Sequence, residues 1–183
     1  PSYEADIIRT FGKLVEMDAV YQSRKPVLWS YGAGTALAEA EVEYLDKKSM
    51  AVYVRFALKE AEGDLADASM VIWTTTPWTL PANLGIAVHE QFHFVCATFV
   101  HDDGRKHKLI VAKDLIDDFA AKTGFVLSET HSGFKGGELE GLEANHPFLP
   151  RTAKIILANF VTTETGTGAV HIAPGHGADD YVA

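Results

Sequence analysis

A single cysteine, Cys96, stands in 183 residues, which rules out an internal disulfide and the cysteine-rich form of zinc site. Flanked by Phe94, Val95, Ala97 and Phe99, it reads as a buried small hydrophobe. One thiol permits a reducing compartment without requiring it. No apolar run approaches the ~20 residues of a membrane-spanning helix, and no basic segment followed by an apolar stretch opens the chain. The chain reads as soluble, with no membrane partner. Cationic residues are scarce too: 16 Lys and Arg against 25 Asp and Glu give a formal charge of −9. Gripping many phosphates depends on clustered Lys and Arg that displace counterions, so most of the backbone of any RNA partner must be held elsewhere. Internal repeats and low-complexity tracts are absent, as are a Gly-x-Ser-x-Gly elbow, a phosphate loop ending in Gly-Lys-Ser or Gly-Lys-Thr, and a dinucleotide fingerprint. Paired-carboxylate glycoside hydrolysis stays open as background, because acidic residues are plentiful and their separation is not readable here.

What is present begins with a hydrophobic content of 47%, enough for one core or a compact domain with an appendage. Tyr3, Ile7, Ile8, Phe11, Leu14 and Val15 recur at helical spacing behind Ser2, a good N-cap, so one amphipathic helix is expected to open the chain. From Pro26 onward the pattern turns to short strands, expected at 27–29, 38–44, 51–58, 70–75, 85–88, 93–100, 108–111, 125–128, 154–157 and 169–173. A second helix fits Lys113 to Lys122, stopped by Gly124. The stretch 63–69 reads as a flexible connection, and His131 to Pro150, rich in glycine, as a long surface excursion. Strands far outnumber helices, which favours an α+β fold with a β-barrel-like core and short peripheral helices over a doubly wound sheet. The expected division is an N-terminal helix with connecting strands over 1–48 and a core over 49–183. Pro1 is not an initiator and Ala183 follows the start of a helix, so the chain is expected to be a piece of a longer polypeptide.

Two runs carry most of the chemistry. The first is Thr74-Thr75-Thr76-Pro77-Trp78-Thr79-Leu80-Pro81-Ala82-Asn83. Strand alternation puts Thr74 and Thr76 on one face and Thr75 on the other, and Pro77 biases Thr76 toward extended geometry. Hydroxyls held at fixed angles where a strand ends can orient a water or a ribose; β-branched threonines also simply favour strands. The second run is Gly166-Thr167-Gly168-Ala169-Val170-His171-Ile172-Ala173-Pro174-Gly175-His176-Gly177-Ala178-Asp179-Asp180. His171 shares its face with the small Ala169 and Ala173, which leaves room for a ligand. Asp179 and Asp180 fall where a helix starts, and capping alone would account for either. His176 reads as a turn residue. A metal held by His171, His176 and Asp180 matches no zinc spacing, so neither a metal nor another cofactor is expected.

These two runs, supported by Ala36-Leu37-Ala38-Glu39-Ala40-Glu41-Val42-Glu43-Tyr44 and His146-Pro147-Phe148, resemble the editing domain of the isoleucyl branch of class I aminoacyl-tRNA synthetases. The likeness spans nearly the whole chain. Valyl and leucyl relatives typically carry Thr-Thr-Arg-Pro where Thr76 stands here, and the valyl type tends to place lysine at the position of His171. Some relatives carry a cysteine knuckle after the tryptophan matching Trp29; Ser30-Tyr31-Gly32-Ala33-Gly34 replaces it, so no structural zinc is expected there.

The resemblance implies a cytoplasmic hydrolase that cleaves the ester of valine mischarged onto tRNA(Ile). Its signature lacks the ATP-using motifs, so the chain itself would not charge tRNA. Implied catalytic residues are Thr74, Thr75 and Asp180; implied substrate contacts are Thr76, Trp78, Thr79, Asn83, His171, Ala173 and Asp180, with Asp180 clamping the ammonium of valine. The implied partners are the valine moiety, the 3′-terminal adenosine of tRNA(Ile) and the remainder of the synthetase. Trp78 would stack on the adenosine, or else lie in the core. The rival class is a noncatalytic module that binds amino acids or tRNA 3′ ends.

Overall fold

The computed structural model describes residues 1–183. Helix α1 covers Ser2–Glu16. Ser2 does not cap it: the Ala5 N–H bonds the Pro1 carbonyl at 3.1 Å, so the helix reaches one residue further back than a serine cap allows. Its amphipathic pattern is as expected, yet it buries no residue, and Tyr3, Ile7, Phe11 and Leu14 form an exposed apolar stripe. A short hairpin follows, β1 (Trp29–Ser30) with β2 (Thr35–Ala36). The strand expected over 38–44 is instead a 3-10 turn at Glu39–Glu41, in which Glu41 Oε2 accepts the Ala38 N–H at 2.8 Å. Alternation alone cannot make a strand where no neighbouring strand pairs with it.

None of the 39 buried residues precedes Phe56. The core is built by β3 (Val52–Ala57), β4 (Ser69–Thr74), β5 (Gly85–Val88), β6 (His93–Val100), β7 (Lys106–Ala112), α2 (Ile116–Thr123), β8 (Val126–Lys135), α3 (Gly136–Leu139), β9 (Glu143–Asn145), β10 (Thr152–Leu157) and β11 (Ala169–Ile172), and is followed by α4 (Ala178–Val182), which buries no residue. One sheet runs β3-β4-β7-β6-β8 and the other β11-β5-β10-β9. They join at one corner, where Leu58 bridges Ala144 and the Lys59 N–H bonds the Glu143 carbonyl at 2.7 Å. At the opposite side β11 lies against β4. The result is an α+β fold whose sheets curl around one core without closing a continuous ladder.

Burial explains the sequence texture. β5 is buried at every residue and β4 at all but Trp73, which is why Met70-Val71-Ile72 and Ile86-Ala87-Val88 read as unbroken apolar runs rather than alternations. Between the sheets lies a cluster of 24 buried residues that includes Phe56, Met70, Ile86, Phe94, Phe99 and Phe119. Cys96 is one of them; its thiol donates to the Asp64 carbonyl, and burial pushes its pKa up. Helix α2 ends as expected, with Gly124 in the left-handed region at φ +75°.

Two expectations about loops are corrected. The 63–69 connection is a compact turn between the antiparallel β3 and β4, with Ala68 fully buried. The excursion expected over 131–150 is largely structured: β8 continues to Lys135, and α3 and β9 follow. Gly136 marks close packing instead of freedom, since a Cβ there would overlap the His89 carbonyl, whereas Gly141 lies in open space with φ +84°.

Gly124 and Gly168 offer a controlled comparison, both with φ near +75°. A side chain at Gly124 meets open space, whereas a Cβ on Gly168 would sit 2.4 Å from that of Ala112. Gly124→Ala is expected to lose about 1 kcal/mol of unfolding free energy, and Gly168→Ala a further ~1–3 kcal/mol from overpacking. Urea titration of both variants measures the difference; equal losses would show that the Gly168 contact is not tight.

Candidate active site

The two motifs, far apart in the chain, meet because of one strand pairing. The first run leaves β4 at Thr74, passes through a 3-10 turn at Pro77–Ala82 and feeds into β5. β5 pairs antiparallel with β11, which carries the second run, in the register His171↔Ile86. The Leu84 N–H bonds the Ile172 carbonyl at 2.8 Å, fixing the turn against β11.

A continuous polar run follows from this. Thr74, only 5% exposed, accepts the Thr76 N–H at 3.1 Å, and the two hydroxyls lie 3.2 Å apart. That agrees with the expectation that Thr74 and Thr76 share a face; Thr75 is exposed, on the other side. The Thr79 hydroxyl donates to the Thr76 carbonyl at 2.8 Å and lies 3.0 Å from His171 Nε2. A hydroxyl has one proton to give, so Nε2–H of His171 is the donor in the second bond. Nδ1 of His171 then carries a lone pair, and it is buried without a partner. Burial holds the His171 pKa below the ordinary 6.5, aided by the charges of His176 and His146 and opposed by Asp180.

Asp180 sits in the first turn of α4 but does not cap it; its Oδ2 accepts the Ala173 N–H at 2.8 Å, seven residues back. This bond orients the carboxylate and leaves Oδ1 unengaged. Gly177 keeps the space clear, since a Cβ there would stand 3.1 Å from that carboxylate. Ala173 is fully buried beside His171. Asp179 and His176 are exposed, and nowhere do three His, Cys, Asp or Glu side chains gather as a metal would need.

Trp78 is 68% exposed, which removes the alternative that it belongs to the core. Asn83 is fully buried; its Nδ2 donates to the Gly85 carbonyl at 2.7 Å, while its Oδ1 has no partner. One surface groove, about 310 Å³, lies between residues of the 26–31 segment and Gly175–Ala178, and a smaller one, about 150 Å³, is lined by Gly166–Val170 with Trp73 and Phe160. Two residues outside both motifs contact the turn. His146 Nε2 lies 2.9 Å from the Leu80 carbonyl, and the Arg151 guanidinium donates to that of Pro81. The histidine of His146-Pro147-Phe148 stood out in the sequence only as part of a resemblance; nothing in its spacing pointed to the turn.

Residues 1–164 match the family model described as tRNA synthetases class I (I, L, M and V). An isoleucine–tRNA ligase of Persephonella marina is 49% identical over 183 residues, covering 100% of this chain and 19% of its own length. That of Thermotoga maritima is 48% identical with the same coverage. The chain thus spans about a fifth of the length of the curated relatives it matches. Among solved structures, the editing domain of the Plasmodium knowlesi cytosolic leucyl-tRNA synthetase superposes with a TM-score of 0.58 at 14% identity, over 73% of this chain and 62% of that one. The structure described as GlLeuRS-CP1 gives 0.56 at 15% identity, over 72% and 58%. The fold is that of these editing domains.

The depressed His171 pKa has a consequence for stability. The unfolded chain takes up a proton near 6.5 that the buried imidazole resists, so the contribution of this residue is complete above that value and declines as pH falls below it. Thermal unfolding at about pH 7.5 and about pH 5 is expected to show a smaller drop in Tm for His171→Gln than for the unmodified chain. An identical drop would remove His171 as a source of the acid sensitivity.

Proposed function

This chain belongs to the class I tRNA synthetases of the isoleucyl, leucyl, methionyl and valyl group, and from that premise we propose that it is the editing domain of an isoleucyl-tRNA synthetase, cleaving the ester of valine mischarged onto tRNA(Ile) in the cytoplasm. The observation that carries this reading is the hydrogen bond between Thr79 and His171, which joins the threonine run to the histidine strand beside an oriented Asp180.

The need for such a site is energetic. Isoleucine against valine is the general case behind the figure of about 1–3 kcal/mol for one methylene, too little for accurate charging, so a second sieve must hydrolyse the smaller product. In this reading the small Ala169 and Ala173, on the same face of the strand as His171, let a small aliphatic side chain be received beside the imidazole, which would exclude a larger one. The free oxygen of Asp180 is the clamp for the α-ammonium of valine, offsetting its desolvation and holding the carbonyl carbon in register with water. The unpartnered Nδ1 of His171 and Oδ1 of Asn83 are acceptors that a bound aminoacyl-adenosine, rich in N–H and O–H donors, can satisfy.

An aminoacyl ester needs no protein nucleophile. Thr74 and Thr75 orient the attacking water or the ribose, Thr76 and Thr79 continue the hydroxyl wall, and the exposed Trp78 offers a face to the terminal adenine. Residues 49–183 form the hydrolytic core in this reading, and residues 1–48 join it to the remainder of the synthetase. The uncovered stripe of α1 fits that role, and the −9 charge is consistent with tRNA affinity supplied elsewhere.

The test uses Asp180→Asn, which keeps the acceptor for Ala173 but removes the charge. Val-tRNA(Ile) hydrolysis is expected to fall by about a hundredfold with Tm unchanged; full turnover would remove Asp180 as the clamp, and no hydrolysis by the unmodified protein would leave only a noncatalytic binding module. His171→Ala is expected to open the site to Ile-tRNA(Ile), measured as deacylation of the cognate ester. If the cognate ester stays intact in that variant, His171 is not the gate.

A further inference from the structure

His146 is buried, 5% exposed, and takes no part in the hydrolytic reading above. Its ring bridges two segments. Nδ1 faces the N–H groups of Phe148 at 3.4 Å and Leu149 at 3.2 Å, which can only donate. Nε2 must therefore carry the proton, and it donates to the Leu80 carbonyl at 2.9 Å. That same carbonyl accepts the Asn83 N–H at 2.9 Å, where the 3-10 turn hands over to β5. The next carbonyl, Pro81, accepts from Arg151, whose own carbonyl accepts the His146 N–H. Phe56 and Phe148 pack at right angles to the imidazole, at 5.9 and 4.6 Å between centroids, and fix its plane.

We propose that His146 is a positioning residue for hydrolysis: through the Leu80 carbonyl it sets the 3-10 turn that presents Trp78 outward and Thr79 to His171. A 3-10 turn has weak internal hydrogen bonding, and this one contains Pro81, which has no N–H to contribute. Its shape consequently depends on outside groups holding its carbonyls. The 146–151 loop, anchored to the core through β9, supplies both holds. This role rests on the hydrolytic reading of the preceding subsection.

Two amide variants separate the halves of the bridge. In the full-length synthetase that carries this chain, His146→Gln places an amide N–H where Nε2 stood and still reaches Leu80; His146→Asn offers an oxygen near Nδ1 and serves only Phe148 and Leu149. His146→Gln is expected to deacylate Val-tRNA(Ile) with kcat within about twofold of the unmodified enzyme, and His146→Asn to lose roughly tenfold. A role confined to stability would slow both alike and lower Tm in proportion. Equal loss in both variants, or full activity in His146→Asn, overturns the assignment. The unmodified enzyme in the same preparation distinguishes the two levels: if it deacylates Val-tRNA(Ile) and His146→Asn is as fast, only the positioning role fails; if it does not deacylate Val-tRNA(Ile), the hydrolytic reading fails and takes this one with it.

Discussion

The antiparallel pairing of β5 with β11 is the constraint on which the site depends. Every polar group of interest hangs from one of these strands or from the segment that leads into or out of it. Side chains alternate along a strand, so a slip of one residue would turn His171 away from Thr79 and put Val170 in its place. Several features oppose such a slip. β5 is held on its other edge by the parallel β10, and Gly85 sits so close to Lys154 that a Cβ there would be 3.2 Å from its carbonyl oxygen. Gly168, pressed against Ala112, fixes where β11 begins. Packing of the apolar core and placement of the polar site are thus the same requirement stated for two faces of the same strands.

Electrostatics within that frame are uneven. The chain is strongly acidic overall, yet the group at the centre of the site is an imidazole that burial keeps from taking a proton. The carboxylate of Asp180 is the nearby charge that works against this, and it is oriented by a backbone N–H instead of by a cation. A carboxylate anchored through one oxygen keeps directed acceptor capacity on the other, which an ion pair with a lysine or arginine would have consumed.

Much of this organisation is legible in the sequence, for identifiable reasons. β5 and β6 appear at their observed bounds because strong apolar runs are cut off by turn residues on both sides. The stop of α2 at Gly124 is readable because only a left-handed residue closes a helix that way. The sharing of a face by Thr74 and Thr76 follows from the period of two. What escapes is whatever depends on a partner far away in the chain. The 38–44 segment has the alternation of a strand but finds no edge to pair with. The glycines of 131–150 suggest a loose loop, while Gly136 is there because the His89 carbonyl leaves room for nothing larger. Asp180 reads as a helix cap, yet its hydrogen bond goes back to Ala173. His146 and Arg151 are silent for the same reason, since their partners are carbonyl groups that every residue possesses.

Buried acceptors without partners give the site its direction. An unmet buried polar group costs roughly 1–3 kcal/mol, and two stand close to the meeting point of the motifs: Nδ1 of His171 and Oδ1 of Asn83. Their own strands cannot satisfy them, because the backbone donors of β5 and β11 are committed to the ladder and Asp180 has already taken the Ala173 N–H. Apolar replacements at both positions would relieve that cost, at the expense of two buried acceptors beside the strand pair. A fold that keeps them leaves two directed acceptors to be met by donors from outside the two strands. A ligand carrying an ammonium and several hydroxyls has that pattern; a purely aliphatic one does not.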